Sequence, residues 1–155
     1  MSTTIEQSID VAVPVGVAYN QWTQFTEFPR FMEGVDQVEQ VNDTRTHWKT
    51  SIAGVKREFD AEITEQLPDE RIAWTSTGEP RQAGVVTFHH LAPQQTRVML
   101  QMEFVPEGAV EKAGAATHLV ERRIKGDLKR FKEFIEAKGG ETGGWRGEVG
   151  QNPTA

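Results

Sequence analysis

The chain contains no cysteine. That excludes disulfides, thiol nucleophiles and thiolate metal sites. It contains no run of about 18 apolar residues, so no transmembrane segment is expected. Lys and Arg number 17 against 23 Asp and Glu, for a net charge of −6. No basic cluster exceeds Arg122-Arg123, which makes nucleic acid a poor partner. The opening MSTTIEQSID lacks both a basic start and an apolar segment. It does not resemble a secretory signal, and the cytoplasm is the expected compartment. There is no GxSxG, P-loop or GxGxxG motif and no internal repeat. No His/Asp/Glu pair has the spacing of a zinc helix motif, and the neighbours His89 and His90 point to opposite faces of a strand. Neither a metal nor a cofactor is therefore expected.

What is present fits one soluble globular domain. The chain has 155 residues, 37% of them apolar and 26% charged, which is ordinary for that class. Its most organised stretch is Val110–Lys138. Val110, Ala113, Thr117, Val120, Ile124, Leu128, Phe131 and Ile135 recur at gaps of three and four, one stripe of an α-helix. Glu111, Lys112, Arg122, Arg123, Lys129, Lys132 and Glu136 occupy the other face. The stripe is graded: small at Ala113, Gly114 and Thr117, large from Ile124 to Ile135. Laid on a curved sheet, the large half fills the space. The small half either leaves a pocket or lets helix and sheet approach closely.

Before that helix the pattern changes to period two. Ile5, Ile9, Val11 and Val13 alternate with polar residues and Ala12, as in a half-buried strand. Pro14 fits the start of a short helix over residues 15–25. A second helix, capped by Thr26, runs to Met32 and places Phe25, Phe28 and Phe31 three apart. Strands follow at 35–41, 45–53, 55–67, 71–77, 81–91 and 96–105, with turns at Gly54, Pro68, residues 78–80 and Pro93. Residues 55–67 read as strictly alternating. Short turns imply antiparallel neighbours. Strands followed by a helix imply α+β: a curved sheet of about seven strands wrapped around the long C-terminal helix. Residues 139–155 hold six glycines and no apolar period. They are expected to form a flexible tail beyond a domain at 1–138, with Trp145 free or docked.

This order resembles the START-like helix-grip superfamily, which includes polyketide cyclase/dehydrases, coenzyme Q-binding proteins and the birch-pollen allergen type. The segments that carry the resemblance are VPVGVAYNQWTQFTEFPRFMEGVDQV (13–38), EITEQLPDERIAW (62–74), GVVTFHHL and TRVMLQMEFVPEG (84–108), and ERRIKGDLKRFKEFIE (121–136). The chain looks closest to the bacterial polyketide cyclase/dehydrase branch. The resemblance implies an elongated apolar cavity between sheet and long helix. It carries no reaction with it, because the fold hosts carriers and enzymes alike.

Polar side chains that the periodicities turn inward are Gln7, Thr50, Arg57, Glu65, Ser76 and His90 on strands, and Thr117 with Glu121 at the margin on the helix. Each needs a partner or water, since a buried polar group left alone costs roughly 1–3 kcal/mol. His90 is able to exchange a proton near neutral pH. With Thr50 or Ser76 it forms the weak catalytic set of an enzyme version, in which a poly-β-ketone cyclises. The ligand-binding candidates are Trp22, Phe25, Phe28, Phe31, Trp48, Phe59, Trp74, Phe88, His90, Met102, Ala113, Gly114 and Thr117, with Phe25 to Phe31 as core or as a gate. The function expected is binding of a hydrophobic small molecule: lipid, quinone or polyketide-like. The alternatives are a cyclase/aromatase, or an interaction module recruiting a partner through Trp145. A homodimer is left open.

Overall fold

The computed structural model describes residues 3–52, 55–78, 82–104, 110–138, 141–147 and 149, with side chains at all of these except 3, 52, 55, 104, 110–119 and 138. Seven strands form one sheet: β1 (Thr3–Val11), β2 (Val35–Gln40), β3 (Arg45–Ile52), β4 (Val55–Leu67), β5 (Arg71–Ser76), β6 (Gln82–Ala92) and β7 (Gln95–Phe104). Their order is β1-β7-β6-β5-β4-β3-β2 and every pairing is antiparallel. After β1 the chain makes helix α1 (Val15–Trp22) and a 3-10 helix (Phe25–Arg30); after β7 it makes helix α2 (Val110–Lys138). The sheet curls into a half-barrel around α2, which is the helix-grip fold.

The large half of the α2 stripe packs as its spacing predicts. Ile124, Leu128, Phe131 and Ile135 are all buried, each contributing roughly 1.5–3 kcal/mol. The second short helix differs from expectation. It starts at Phe25 and is 3-10, with Pro29 inside it and no side-chain cap. A 3-10 helix has three residues per turn, so residues three apart eclipse. Phe25, Phe28 and Phe31 therefore share one face, and all three are buried.

That face builds an aromatic plug. Trp22 meets Phe28 at 5.3 Å, Phe31 at 6.0 Å and Phe131 at 5.4 Å; Phe31 meets Phe131 at 5.2 Å. Edge-on contacts dominate, as ring quadrupoles favour. A polar clasp fixes the plug to α2. Arg130 Nε donates to the Phe31 carbonyl (3.1 Å), Asp127 accepts from the Glu33 N–H (3.0 Å), and Arg123 pairs with Glu33 (2.7 Å). Burial pushes the Asp127 carboxyl up, against hydrogen bonds from Arg130 and the Glu33 N–H that pull it down.

One further expectation is corrected. β4 does not alternate throughout: its register with β5 shifts between Ile63 and Glu65. One extra residue flips the face of everything after it. Glu65 turns outward, half-exposed in an ion pair with Arg71 (2.9 Å), and Gln66 turns inward, 1% exposed. The tail is docked where it is described. Asn20, Gln21 and Thr23 of the α1 end hydrogen-bond Glu141, Thr142 and Trp145, and Val149 exchanges two backbone hydrogen bonds with Gln66. Side chains on Gly143, Gly144 and Gly147 would collide with Gln24, Asn20 and Trp145 respectively. These glycines serve close approach as well as flexibility.

Phe131 touches both halves of the plug. Phe131→Ala is expected to lower unfolding stability by about 3–5 kcal/mol in urea denaturation; a drop under about 1 kcal/mol would contradict this packing.

Candidate functional site

The aromatic plug fills one end of the sheet's inner face. At the filled end the plug meets β3, where Phe28 lies 5.7 Å from Trp48. Trp48 pairs across the strands with Phe59, and the two rings stack at 6.0 Å with planes only 8° apart. Thr46 holds the indole in place: its hydroxyl accepts from Trp48 Nε1 at 2.8 Å and donates to the Ala61 carbonyl at 3.4 Å.

A second aromatic surface lies further along β4. The register aligns Ile5, Met102, Gly84, Trp74 and Ile63 in one row across five strands. Gly84 sits between Trp74 and Met102. A Cβ there would stand 2.5 Å from the Trp74 six-membered ring and 2.8 Å from the Met102 sulfur. The missing side chain lets the indole and the thioether close over the strand. Phe59 and Ile63 are four residues apart, so the two aromatic surfaces lie about 13 Å from each other at roughly 3.3 Å per residue. Trp48, Trp74 and Met102 are only half-buried, although Phe59, Ile63 and Ile5 beside them are buried. Inward-facing aromatics that water still reaches are what an apolar binding surface requires.

The other predicted residues are placed as follows. Trp22, Phe25, Phe28 and Phe31 belong to the plug, and Phe88 is buried against Tyr19 at 5.4 Å. The side chains of Ala113, Gly114 and Thr117 lie outside the described residues, as do Gly54, residues 79–81 and residues 105–109. Thr50 is half-buried opposite Arg57. The Ser76 hydroxyl donates to the Gly78 carbonyl (3.1 Å) and accepts from the Gln82 N–H (3.0 Å), so it is engaged in shaping the β5–β6 connection.

His90 is corrected: it is exposed. It lies two residues past Phe88, the last buried residue of β6, beside the register shift that ends the strand. Ser76 stands at the far end of β5, level with the start of β6. Eight residues of β6 separate that level from His90, about 26 Å. The three polar candidates are not brought together. Sequence reasoning missed Gly84, Thr46 and Gln66. A lone glycine inside a strand pattern is a signal of close approach; Thr46 sits two residues before Trp48 on the same face; the bulge that turns Gln66 inward leaves no sequence mark.

The outer face carries one titrating cluster. His47 Nδ1 lies 2.5 Å from Asp60 and Nε2 lies 3.0 Å from Glu58, with Arg45 bridging to Glu62 at 3.1 Å. The carboxylates of Asp60, then Glu58, hold the imidazole above its ordinary 6.5. Among the described residues no group of three His, Asp or Glu side chains is placed to hold a metal ion, and no helix is long and apolar enough to cross a membrane.

Comparison with known proteins agrees with this architecture. Residues 11–133 match the model of the family described as polyketide cyclase / dehydrase and lipid transport. The chain belongs to that family. It is 62% identical over 146 residues to an uncharacterized 17.2 kDa protein from the melC2-rnhH intergenic region of Streptomyces lincolnensis, covering 94% of this chain and 97% of that one. Among solved structures, it resembles DR_A0006 of Deinococcus radiodurans (25% identity, TM-score 0.69, 88% of this chain and 98% of that one). It also resembles the Zhui aromatase/cyclase of Streptomyces sp. R1128 (16% identity, TM-score 0.77, 94% and 100%). The last likeness is one of fold.

Two expectations follow. The stability that His47 contributes is complete below its unfolded value near 6.5 and is lost as pH rises through the higher folded value. His47→Gln should therefore flatten the fall in stability as pH rises above about 6.5; an unchanged pH profile would contradict the pairing. Gly84→Val should cost about 1–3 kcal/mol by overpacking, read as a lower urea midpoint at unchanged m-value.

Proposed function

We propose that the inner face of the sheet binds a hydrophobic, planar small molecule of the quinone or polyketide-like kind. The observation that carries this is the pair of aromatic surfaces, Trp48 on Phe59 and Trp74 over Gly84, which face inward and yet remain partly open to solvent. Stacking suits flat conjugated molecules better than saturated chains, because aromatic pairs gain about 0.5–1.5 kcal/mol beyond the area they bury. The family's description, which joins polyketide cyclisation with lipid transport, is compatible with a ligand of this kind. Binding is favoured over catalysis because the proton-exchanging candidate His90 is exposed and distant from Ser76. A confined planar ligand could still be oriented for reaction, since orientation alone lowers barriers.

The test compares an anthraquinone dye with dodecanoate, each titrated against the whole protein by isothermal calorimetry. The dye is expected to bind more tightly, and Trp48→Ala and Trp74→Ala each to weaken it about tenfold, the equivalent of about 1.4 kcal/mol. Dodecanoate affinity should change less. Failure of both ligands to bind, or dye affinity unaltered in both variants, would end the proposal.

A further inference from the structure

The docked tail does more than cover α1. It joins two parts of the molecule. On one side are the polar residues at the end of α1. Both ends of the Gln21 side-chain amide are taken by Thr142: Nε2 donates to Thr142 Oγ1 at 3.0 Å and Oε1 accepts from the Thr142 N–H at 2.8 Å. Asn20 donates to Glu141 at 2.8 Å and accepts from Arg146 at 2.7 Å. The Trp145 N–H donates to Thr23 Oγ1 at 3.0 Å. On the other side is the end of β4. Pairing of β3 with β4 ends at Arg45 and Glu62, so β4 beyond that point has an edge that β3 does not cover. Val149 bridges to Gln66 on β4, with hydrogen bonds of 2.9 and 3.0 Å. Arg146 adds an ion pair with Asp69 of the following turn at 2.8 Å. It also lies over the Tyr19 ring at 5.5 Å.

α1 leads directly into the 3-10 helix, and Phe28 of that helix touches Trp48 of the proposed binding surface. We infer that residues 141–147 together with Val149 form a latch tying α1 and the aromatic plug to the end of β4, and that its release is the motion that admits the ligand. This rests on the binding role proposed above. Trp48 and Trp74 are half-buried, and the contact of Phe28 with Trp48 puts the plug at the edge of the proposed surface. Three properties suit the latch to release. Its hold on α1 is through hydrogen bonds, which water can replace. Its ion pair, Arg146 with Asp69, is partly exposed on both sides. At its β4 anchor the Gln66 side chain is 1% exposed, and neither its nitrogen nor its oxygen has a hydrogen-bond partner among the described residues. Opening would hydrate that amide, which offsets part of the cost of freeing Thr142, Arg146 and Val149 from their partners.

A cysteine-free chain allows a clean lock. A Cβ on Gly144 would lie 3.0 Å from the Asn20 Cβ, close to the roughly 3.5–4.5 Å of a disulfide. The double variant Asn20→Cys/Gly144→Cys is compared oxidised and reduced, and Gly144→Val is made to weaken the latch. Stopped-flow exchange of the anthraquinone dye is measured in each. Oxidation should slow both association and dissociation at least tenfold, with reduction restoring them, and Gly144→Val should speed both severalfold. Equal rates in the oxidised and reduced forms, with wild-type rates in Gly144→Val, would overturn the latch. If the unmodified protein binds no dye, the binding proposal fails. The latch is then judged on hydrogen exchange at the Thr23, Gln24 and Phe31 amides alone. Slower exchange on oxidation would sustain it as a clamp on the plug, and unchanged exchange would refute it.

Discussion

Phe131 of α2 meets Trp22 at 5.4 Å and Phe31 at 5.2 Å, and those two packings decide where the sheet is filled. They join α1 and the 3-10 helix that follows it to the second half of α2, about a hundred residues further along the chain. These side chains fill one end of the inner face, while Trp48 at its border and Trp74 and Met102 beyond it stay half-buried. The clasp of Arg123, Asp127 and Arg130 on Phe31 and Glu33 holds the plug in register with the helix. Polar and aromatic interactions thus act on the same short segment from two sides.

Much of the architecture is legible in the sequence because two periodicities are strong. The three-and-four spacing from Ile124 to Ile135 specifies the buried stripe of α2, and period two specifies most strands. The spacing of Phe25, Phe28 and Phe31 holds more than an aromatic-rich helix. A gap of three is the repeat of a 3-10 helix, and Pro29 within the same few residues points the same way. β4 shows where such reasoning stops. A bulge is a property of strand pairing, so no count along one strand reveals that Gln66 and not Glu65 turns inward.

The proposed site is legible as a set of aromatics and illegible as a geometry. Trp48, Phe59, Trp74 and Met102 follow from alternation alone. That Gly84 lies between Trp74 and Met102 follows only from the register of three strands. His90 shows the reverse failure: alternation turns it inward, but beside the register shift near the end of β6 it is exposed, although Thr96 opposite it is buried. In the tail, a high glycine content suggests freedom. Glycine is also the residue that lets backbone approach a side chain, and Gly143 and Gly144 do so against Gln24 and Asn20.

The central claim is that Trp48 and Trp74 form the surface a planar ligand stacks on, and the four tryptophans of the chain make it directly measurable. Each indole N–H gives one signal in a proton–nitrogen NMR spectrum. On titration with an anthraquinone dye, the signals of Trp48 and Trp74 should shift in a saturable way, while those of Trp22 in the plug and Trp145 in the tail move far less. Shifts confined to Trp22 or Trp145, with Trp48 and Trp74 unmoved at saturation, would contradict that claim.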